Sequence, residues 1–212
     1  MFRDRSEAGR LLAEELSPAF AGASDTVVLG IPRGGVIVAE EIARRLDLPL
    51  DVVIASKIGA PGNPEFAVGA VDPDGAVTPN PQVHYSASEL EHLARPAREK
   101  IMRRLALYRG GVEGEPLEGR TVLLVDDGIA TGLTVKAAIG YLRGQGVGRI
   151  VLAVPVIAAS SARELRDLVD DLVAVEEPES FYAVGQFYRH FDQTSDDEVL
   201  AALAGRGSSA GS

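Results

Sequence analysis

Two adjacent aspartates follow one of the most apolar segments of the chain, in the stretch TVLLVDDGIATGLT at 121–134. Asp126 and Asp127 come directly after residues 121–125, which read as a buried strand. Two carboxylates about 4 Å apart repel each other by roughly 4 kcal/mol at an effective dielectric constant of 20. The pair therefore predicts a binding site in which a divalent cation, cationic side chains or hydroxyl donors offset this repulsion. The alternative is that one acid caps a helix and the other is solvated.

The residues after the acid pair have the opposite chemistry. Small residues and two hydroxyls stand where a helix is predicted to begin, in Ala130, Thr131, Gly132, Leu133 and Thr134. Small side chains let backbone N–H groups converge, and a helix N-terminus attracts anions, so this turn predicts a phosphate site. Acids beside a phosphate cradle suit a ligand with adjacent hydroxyls and a nearby phosphate, and ribose 5-phosphate has this shape.

The same stretch resembles the phosphoribosyl pyrophosphate (PRPP) signature of type I phosphoribosyltransferases. In that pattern an apolar strand, two acids and two usually apolar residues precede a small-Thr-Gly-x-Thr turn. The resemblance implies that Asp126 and Asp127 hold the ribose hydroxyls and face Mg²⁺ only indirectly, through those hydroxyls or water. It also implies that Ala130 to Thr134 wrap the 5′-phosphate. Gly128 stands where the family generally has an apolar residue, which would loosen the turn but removes no ligand group.

A second turn, GIPRGG at 30–35, looks like the pyrophosphate loop of this family. The resemblance implies that Arg33 faces the leaving group, and that Pro32, Gly34 and Gly35 shape a turn containing a cis peptide bond. Lys57, at the end of the second predicted strand, resembles the basic residue that family members place against pyrophosphate. Asp126, Asp127, Arg33 and Lys57 are thus the expected catalytic residues, although Arg33 and Lys57 could also be ordinary surface residues.

The acceptor is left open by the sequence. In the family the base lies under a C-terminal hood, and four aromatic residues are expected to build it here, with ordinary core packing as the alternative: Phe181, Tyr182, Phe187 and Tyr188. Family members that use 6-oxopurines usually carry an acid where Ala130 stands, and a C-terminal lysine that this chain lacks. The ATG turn at 130–132 is closer to the adenine type, but little else favours adenine.

The elements that would position these residues alternate along the chain. Strands are predicted at 26–31, 50–56, 121–125, 149–156 and 171–175, and helices at 36–46, 87–109, 134–143, 161–169 and 196–203. Continuous apolar strands separated by helices are typical of a parallel sheet covered on both faces. The expected fold is therefore α/β, a parallel twisted sheet with helices on both faces, as in type I phosphoribosyltransferases.

Three further expectations concern the remaining segments. Residues 59–81 are rich in proline and glycine and lie where the family has a long mobile loop, with a hairpin turn expected at 72–75. A small hood closes the C-terminal end. Residues 1–205 are expected to form a single phosphoribosyltransferase domain and 206–212 a disordered tail.

Composition narrows the classes of function. The net charge of −10 argues against nucleic acid as a partner. With no cysteine, disulfides and thiolate chemistry are excluded, and the three histidines lack metal-ligand spacing. No signal peptide or membrane segment is recognisable, so a cytoplasmic protein is expected, and the family makes a homodimer possible.

The resemblance implies a Mg²⁺-dependent enzyme that transfers 5-phosphoribose from PRPP to a nitrogenous, nucleobase-like acceptor and releases pyrophosphate. A non-catalytic regulatory protein of the same fold that senses PRPP or a nucleotide is the main alternative. A module that binds another sugar phosphate is a third.

Overall fold

The computed structural model describes residues 1–111 and 114–205. The expected tail, 206–212, lies outside the described residues. In chain order the strands are β1 Thr26–Gly30, β2 Leu50–Val52, β3 Ser56–Ala60, β4 Asn63–Val71, β5 Val77–Pro79, β6 Thr121–Val125, β7 Arg149–Val156 and β8 Asp171–Glu176. The helices are α1 Arg5–Phe20, α2 Gly34–Leu46, α3 Ala87–Arg109, α4 Leu133–Gly144, α5 Ala159–Arg166 and α6 Asp196–Ala204, and a short 3₁₀ helix covers Val184–Phe187.

Five of the strands form one parallel sheet in the order β2-β1-β6-β7-β8. Successive residues of a strand point to opposite faces, so the apolar run of β1 divides between two cores. Val28 packs on the face covered by α1 and α2, whereas Val27 and Leu29 pack on the face covered by α4 and α5. Burial on both faces explains why the strands read as continuous apolar runs. The expected α/β fold class is confirmed.

The second predicted strand is corrected by the structure. Residues 50–56 are not one strand: β2 ends at Val52, and Ser56 begins β3 in a separate antiparallel sheet of order β3-β4-β5. The sequence shows no sign of this break because Val53 and Ile54, between the two sheets, are only 2% and 1% exposed. Lys57 therefore belongs to β3 rather than to the edge of the parallel sheet.

The segment at 59–81 also differs from the open loop that its composition suggests. It contains β4 and β5, which pair from Val71 with Val77 to Gly69 with Pro79. The expected hairpin turn at 72–75 is confirmed, since the N–H of Gly75 donates to the carbonyl of Asp72 at 3.0 Å. Backbone pairing gives this segment order despite its prolines. Closure of the segment over the site stays a prediction.

The C-terminal segment forms a small cap that is tied to the N-terminus. Phe2 forms an isolated parallel bridge with Tyr188, and its N–H donates to the carbonyl of Phe187 at 2.7 Å. Aromatic rings from 181–191 pack around Phe2 and Tyr188 in a third apolar cluster. Among the described residues, no helix combines the length and apolar character that crossing a bilayer requires.

Candidate active site

The two loops singled out in the sequence are neighbours at the centre of the sheet. The chain runs from β1 outward to β2 on one side, and β6 lies on the other side of β1, which makes this the topological switch point. Gly30 pairs with Val125, so the turn at 31–35 and the loop at 126–134 leave the sheet side by side. Ligands of open α/β sheets bind in the crevice at such a point.

A cavity of about 450 Å³ lies between the two loops. Its walls come from the turn after β1, the loop after β6, the first turn of α1 and the C-terminal segment: Arg5, Ile31, Pro32, Arg33, Gly34, Asp126, Asp127, Thr134, Phe191, Gln193 and Thr194. Three of the four expected catalytic residues, Asp126, Asp127 and Arg33, are therefore brought together. Their roles in catalysis stay predictions.

The guanidinium of Arg5, near the N-terminus, offsets the repulsion between the two acids. Arg5 Nε lies 2.7 Å from Asp127 Oδ2, and the side chains of Arg5 and Asp127 are only 13% and 16% exposed. Asp126 Oδ1 accepts a hydrogen bond from the N–H of Asp127 at 2.9 Å. Tyr188 adds a hydrogen bond of 2.6 Å from its hydroxyl to the backbone carbonyl of Asp127. The acid pair is thus held by side chains from both ends of the chain.

The environment makes the two acids unequal. Burial raises the pKa of Asp126 well above its usual value, and the charge of Asp127 raises it further. Burial also raises the pKa of Asp127, but there the charge and hydrogen bond of Arg5 act in the opposite direction. Buried carboxyls of this kind are typical of functional sites, since their charge opposes folding and is retained for another purpose.

The turn after β1 approaches the acid pair closely enough to need glycine. Its Pro32–Arg33 peptide bond is cis, as the resemblance implied. A Cβ atom added to Gly34 would lie 1.9 Å from Asp127 Oδ2 and 2.6 Å from Arg5 Nε, inside van der Waals contact. Arg33 precedes the first residue of α2 and leaves the N-terminus of that helix without a side-chain cap. The positive end of α2 therefore adds to the charge of Arg33 beside the cavity.

The loop after β6 surrounds another cavity at the start of α4. A smaller cavity of about 180 Å³ is lined by the loop at 128–135 together with Asp126 and Val184. Helix α4 begins after Gly132 (φ 72°). The N–H groups in the first turn of a helix have no partner within the helix, and here no side chain caps them. Ser161 Oγ donates to the carbonyl of Ala130 at 2.6 Å and fixes the loop. Residues 130–134 thus have the geometry of an anion site.

The structure also explains Gly128, the departure from the family pattern. A Cβ atom at this position would lie 2.4 Å from a methyl carbon of Val184 in the 3₁₀ helix of the cap. The glycine therefore lets the C-terminal segment pack directly against the loop after β6.

Lys57 is not placed at the switch-point cavity. It is exposed on β3 and lines a second cavity of about 590 Å³, together with His92 and Lys100 of α3. The charge of Lys57 nevertheless acts on Lys100, which the charge of Arg33 also affects. The pKa of Lys100 is lowered by burial and by the positive charges of Arg104, Arg33 and Lys57, in that order. The charges of Arg33 and Lys57 thus both act on Lys100, a residue that the sequence-based prediction of the site did not include.

The hood residues expected from the sequence are displaced from the cavity as well. Phe181 and Phe187 pack against each other, Tyr188 is buried against Phe2, and Tyr182 is 90% exposed. Three of the four rings, those of Phe181, Phe187 and Tyr188, fill the cap's own apolar cluster because burial against each other removes them from water. Other residues of the same segment face the cavity, namely Phe191, Gln193 and Thr194. No local pattern distinguishes them in the sequence.

The donors at the site suit a metal ion that is only partly coordinated by protein. Among the described residues, no group of three or more His, Cys, Asp or Glu side chains could hold a metal ion. Mg²⁺ commonly keeps several waters and binds through one or two carboxylates together with substrate phosphates. The two buried carboxylates would accept hydrogen bonds from the waters of such an ion, which fits the indirect contact that the resemblance implies.

A parallel sheet with uncapped helix N-termini and an acid pair at its switch point is the architecture expected of the phosphoribosyltransferase class. The chain belongs to the phosphoribosyl transferase domain family, whose model matches residues 5–192.

Two curated proteins are similar to this chain in sequence. The Mycobacterium tuberculosis protein named "Putative phosphoribosyl transferase Rv0571c" is 44% identical over 207 residues, which are 96% of this chain but 46% of that protein. The chain thus spans about half the length of this relative. The "Bifunctional protein PyrR" of Streptomyces coelicolor is 31% identical over 140 residues, 66% of this chain and 56% of that protein.

Among solved structures, the crystal structure of TT1426 from Thermus thermophilus is similar with a TM-score of 0.80 at 44% identity. The match covers 95% of this chain and 97% of TT1426.

Proposed function

We propose that this protein is a Mg²⁺-dependent phosphoribosyltransferase, which transfers 5-phosphoribose from PRPP to a nitrogenous, nucleobase-like acceptor and releases pyrophosphate. The observation that carries the proposal is the arrangement of negatively and positively charged groups at the switch point. An acid pair lies between two uncapped helix N-termini, those of α2 and α4. PRPP has the matching sequence of groups, with a phosphate at one end, hydroxyls in the middle and a diphosphate at the other end.

Each part of the site then has one role. The amides of residues 130–134 bind the 5′-phosphate, and Asp126 and Asp127 accept hydrogen bonds from the ribose hydroxyls. Arg33 and the N-terminus of α2 stabilise the negative charge that grows on the leaving pyrophosphate. Lys57 and Lys100 strengthen the positive field on the same side. Bound Mg²⁺ would neutralise further charge on the leaving group, facing the acid pair through ribose hydroxyls or water.

The reacting carbon gains positive charge as the pyrophosphate departs, and the acid pair is well placed to stabilise it. Asp126 and Asp127 are shielded from solvent, so their charges act at a lower effective dielectric constant than in water. Closure of the segment at 59–81 would exclude the water that competes with the acceptor.

The cavity wall offers the acceptor polar side chains rather than a free aromatic ring. The Arg5 guanidinium carbon lies 4.0 Å from the centroid of the Phe191 ring, and Tyr188 stacks with the same ring at 4.9 Å. Phe191 is therefore already occupied. Gln193 and Thr194 remain to form hydrogen bonds with the edge of a base, which supports a nitrogenous acceptor without naming it.

The proposal is tested by incubating the protein with PRPP, Mg²⁺ and a panel of nucleobases while pyrophosphate release is measured. Release with one base supports the proposal and identifies the acceptor. Release should stop when EDTA removes Mg²⁺ and return when Mg²⁺ is restored. Calorimetry with PRPP supplies the second readout. Tight binding without turnover across the panel would favour the regulatory alternative, and absence of PRPP binding would contradict both.

A further inference from the structure

Arg5 reaches the acid pair from a distant part of the sequence. It is the first residue of α1 and lies 122 residues before Asp127 in the chain. Besides its ion pair with Asp127, it donates through Nη1 to the carbonyl of Asp192 at 2.8 Å. Its guanidinium also lies over the ring of Phe191. One side chain therefore connects the N-terminal helix, the loop after β6 and the C-terminal segment.

These contacts set the orientation of the Asp127 carboxylate. Arg5 contacts Oδ2, and the backbone of Asp127 is held through its carbonyl by Tyr188. A carboxylate has about four lone-pair sites, so an ion pair at Oδ2 leaves other lone pairs of Asp127 able to accept a hydroxyl. The carboxylate is thereby fixed without being blocked.

A second ion pair of the same helix shows that this arrangement is unusual. Arg10 lies 3.8 Å from Glu41, and its side chain is 29% exposed. At that distance the two groups form no hydrogen bond, and Glu41 also pairs with Arg44 and Arg45, so Arg10 contributes little. The pair of Arg5 and Asp127 is shorter, its arginine is more buried, and it faces the cavity.

We propose that Arg5 is a positioning residue of this site, which orients the Asp127 carboxylate toward the ribose hydroxyls and joins it to the C-terminal segment. The inference rests on the proposed function, since it assumes that the acid pair binds a sugar. It extends that function to a residue of α1, outside both loops.

The test compares two phosphate monoesters by calorimetry. Ribose 5-phosphate carries the hydroxyls, whereas propyl phosphate carries only the phosphate. A hydrogen bond from a hydroxyl to a carboxylate contributes about 1.5–3 kcal/mol. If Asp127 is no longer oriented to accept that bond, Arg5→Gln should weaken ribose 5-phosphate on the order of tenfold or more. Propyl phosphate, which uses only the cradle at 130–134, should bind this variant as it binds the wild type.

Two further variants separate positioning from general stability. Arg5→Lys keeps the charge but cannot reach Asp127 and the carbonyl of Asp192 with a planar fork, so it should retain part of the preference for ribose 5-phosphate. This variant carries the test if Arg5→Gln does not fold. Arg10→Gln removes an equal charge from the same helix and should behave as the wild type.

The outcomes distinguish the two proposals. A wild type that prefers ribose 5-phosphate, with the preference unchanged in Arg5→Gln and Arg5→Lys, would overturn the role of Arg5 alone. Equal weakening of both monoesters would overturn it too, and so would tighter binding of ribose 5-phosphate by Arg5→Gln, which would make Arg5 a competitor of the sugar. A wild type without any preference would overturn the proposed function together with this inference.

Discussion

Neutralising one acid of the pair at a time should change the stability of the protein unequally. Asp126→Asn and Asp127→Asn each remove one buried charge and the repulsion between the two acids. Only Asp127 also pairs with Arg5. The difference between the two variants therefore isolates what Arg5 contributes. Asp126→Asn should raise the free energy of unfolding, because an amide oxygen can still accept the N–H of Asp127.

The size of the difference follows from the contacts. A hydrogen bond to a charged group contributes about 1.5–3 kcal/mol, and Arg5 and Asp127 are both buried enough to approach that range. We expect Asp126→Asn to be more stable than Asp127→Asn by about 2 kcal/mol. For a chain of this length, each kcal/mol shifts Tm by about 2–4 °C. The two variants should thus differ by about 4–8 °C.

The measurement is thermal and urea unfolding at pH 7, completed by a double-mutant cycle with Arg5→Gln. In that background the two variants should become nearly equal, because the pair that distinguishes them is absent. Both single variants should lose PRPP binding.

The dependence on pH provides a separate check. Because the pKa of Asp126 is raised on folding, the folded state binds more protons than the unfolded state between the usual value and the raised value. The wild type should therefore gain stability as the pH falls through this window, and Asp126→Asn should gain less, because only the raised pKa of Asp127 remains. The advantage of the variant should be largest above the raised pKa and shrink toward acid pH.

Two results would refute this reasoning. Equal Tm values for Asp126→Asn and Asp127→Asn at pH 7 would show that Arg5 does not stabilise Asp127. An advantage of Asp126→Asn that grew as the pH fell would show that the charge of Asp126 stabilises the fold, contrary to its buried position.

The remaining predictions concern the contacts around the pair. Gly34→Ala should lower Tm by several degrees and PRPP affinity at least about tenfold, because its Cβ would overlap Asp127. Gly140→Ala, on α4 with nothing within 4 Å, should instead raise stability by about 0.5–1 kcal/mol; a Gly34→Ala variant as stable and as active as Gly140→Ala would contradict the close approach. Tyr188→Phe should cost about 1–3 kcal/mol in urea unfolding, since a partly buried carbonyl loses its donor. Tyr182→Phe, at a side chain 90% exposed, is its control, and equal stability of the two variants would refute the hydrogen bond.

Local signals carried the sequence-based predictions that the structure confirms. Helix α3 was predicted at 87–109 and has these bounds, because Ser86 and Glu89 form a capping box at its start and Gly110 ends it. The bounds of β6, 121–125, follow in the same way from an apolar run that ends at the acid pair. Each signal depends on residues within one or two turns of each other, so the linear order already contains it.

The break between β2 and β3 could not be predicted in this way. Val53 and Ile54 are apolar residues buried at the junction of two sheets. An apolar run in the sequence looks the same whether one strand continues through it or ends within it. The same ambiguity applies to the cap, where the sequence left a base-binding hood and ordinary core packing as alternatives. Phe181, Phe187 and Tyr188 fill an apolar cluster of the cap, whereas Tyr182 is exposed.

The acid pair, the two loops and the α/β alternation could be read from the linear chain, since each is written in neighbouring residues. Which side chains meet at the site depends on the folded arrangement. Gly30 pairing with Val125 brings the two loops together, and the docking of α1 brings Arg5 to Asp127 across 122 residues. No local pattern can specify such contacts, because they exist only once the sheet order and the packing of its helices are set.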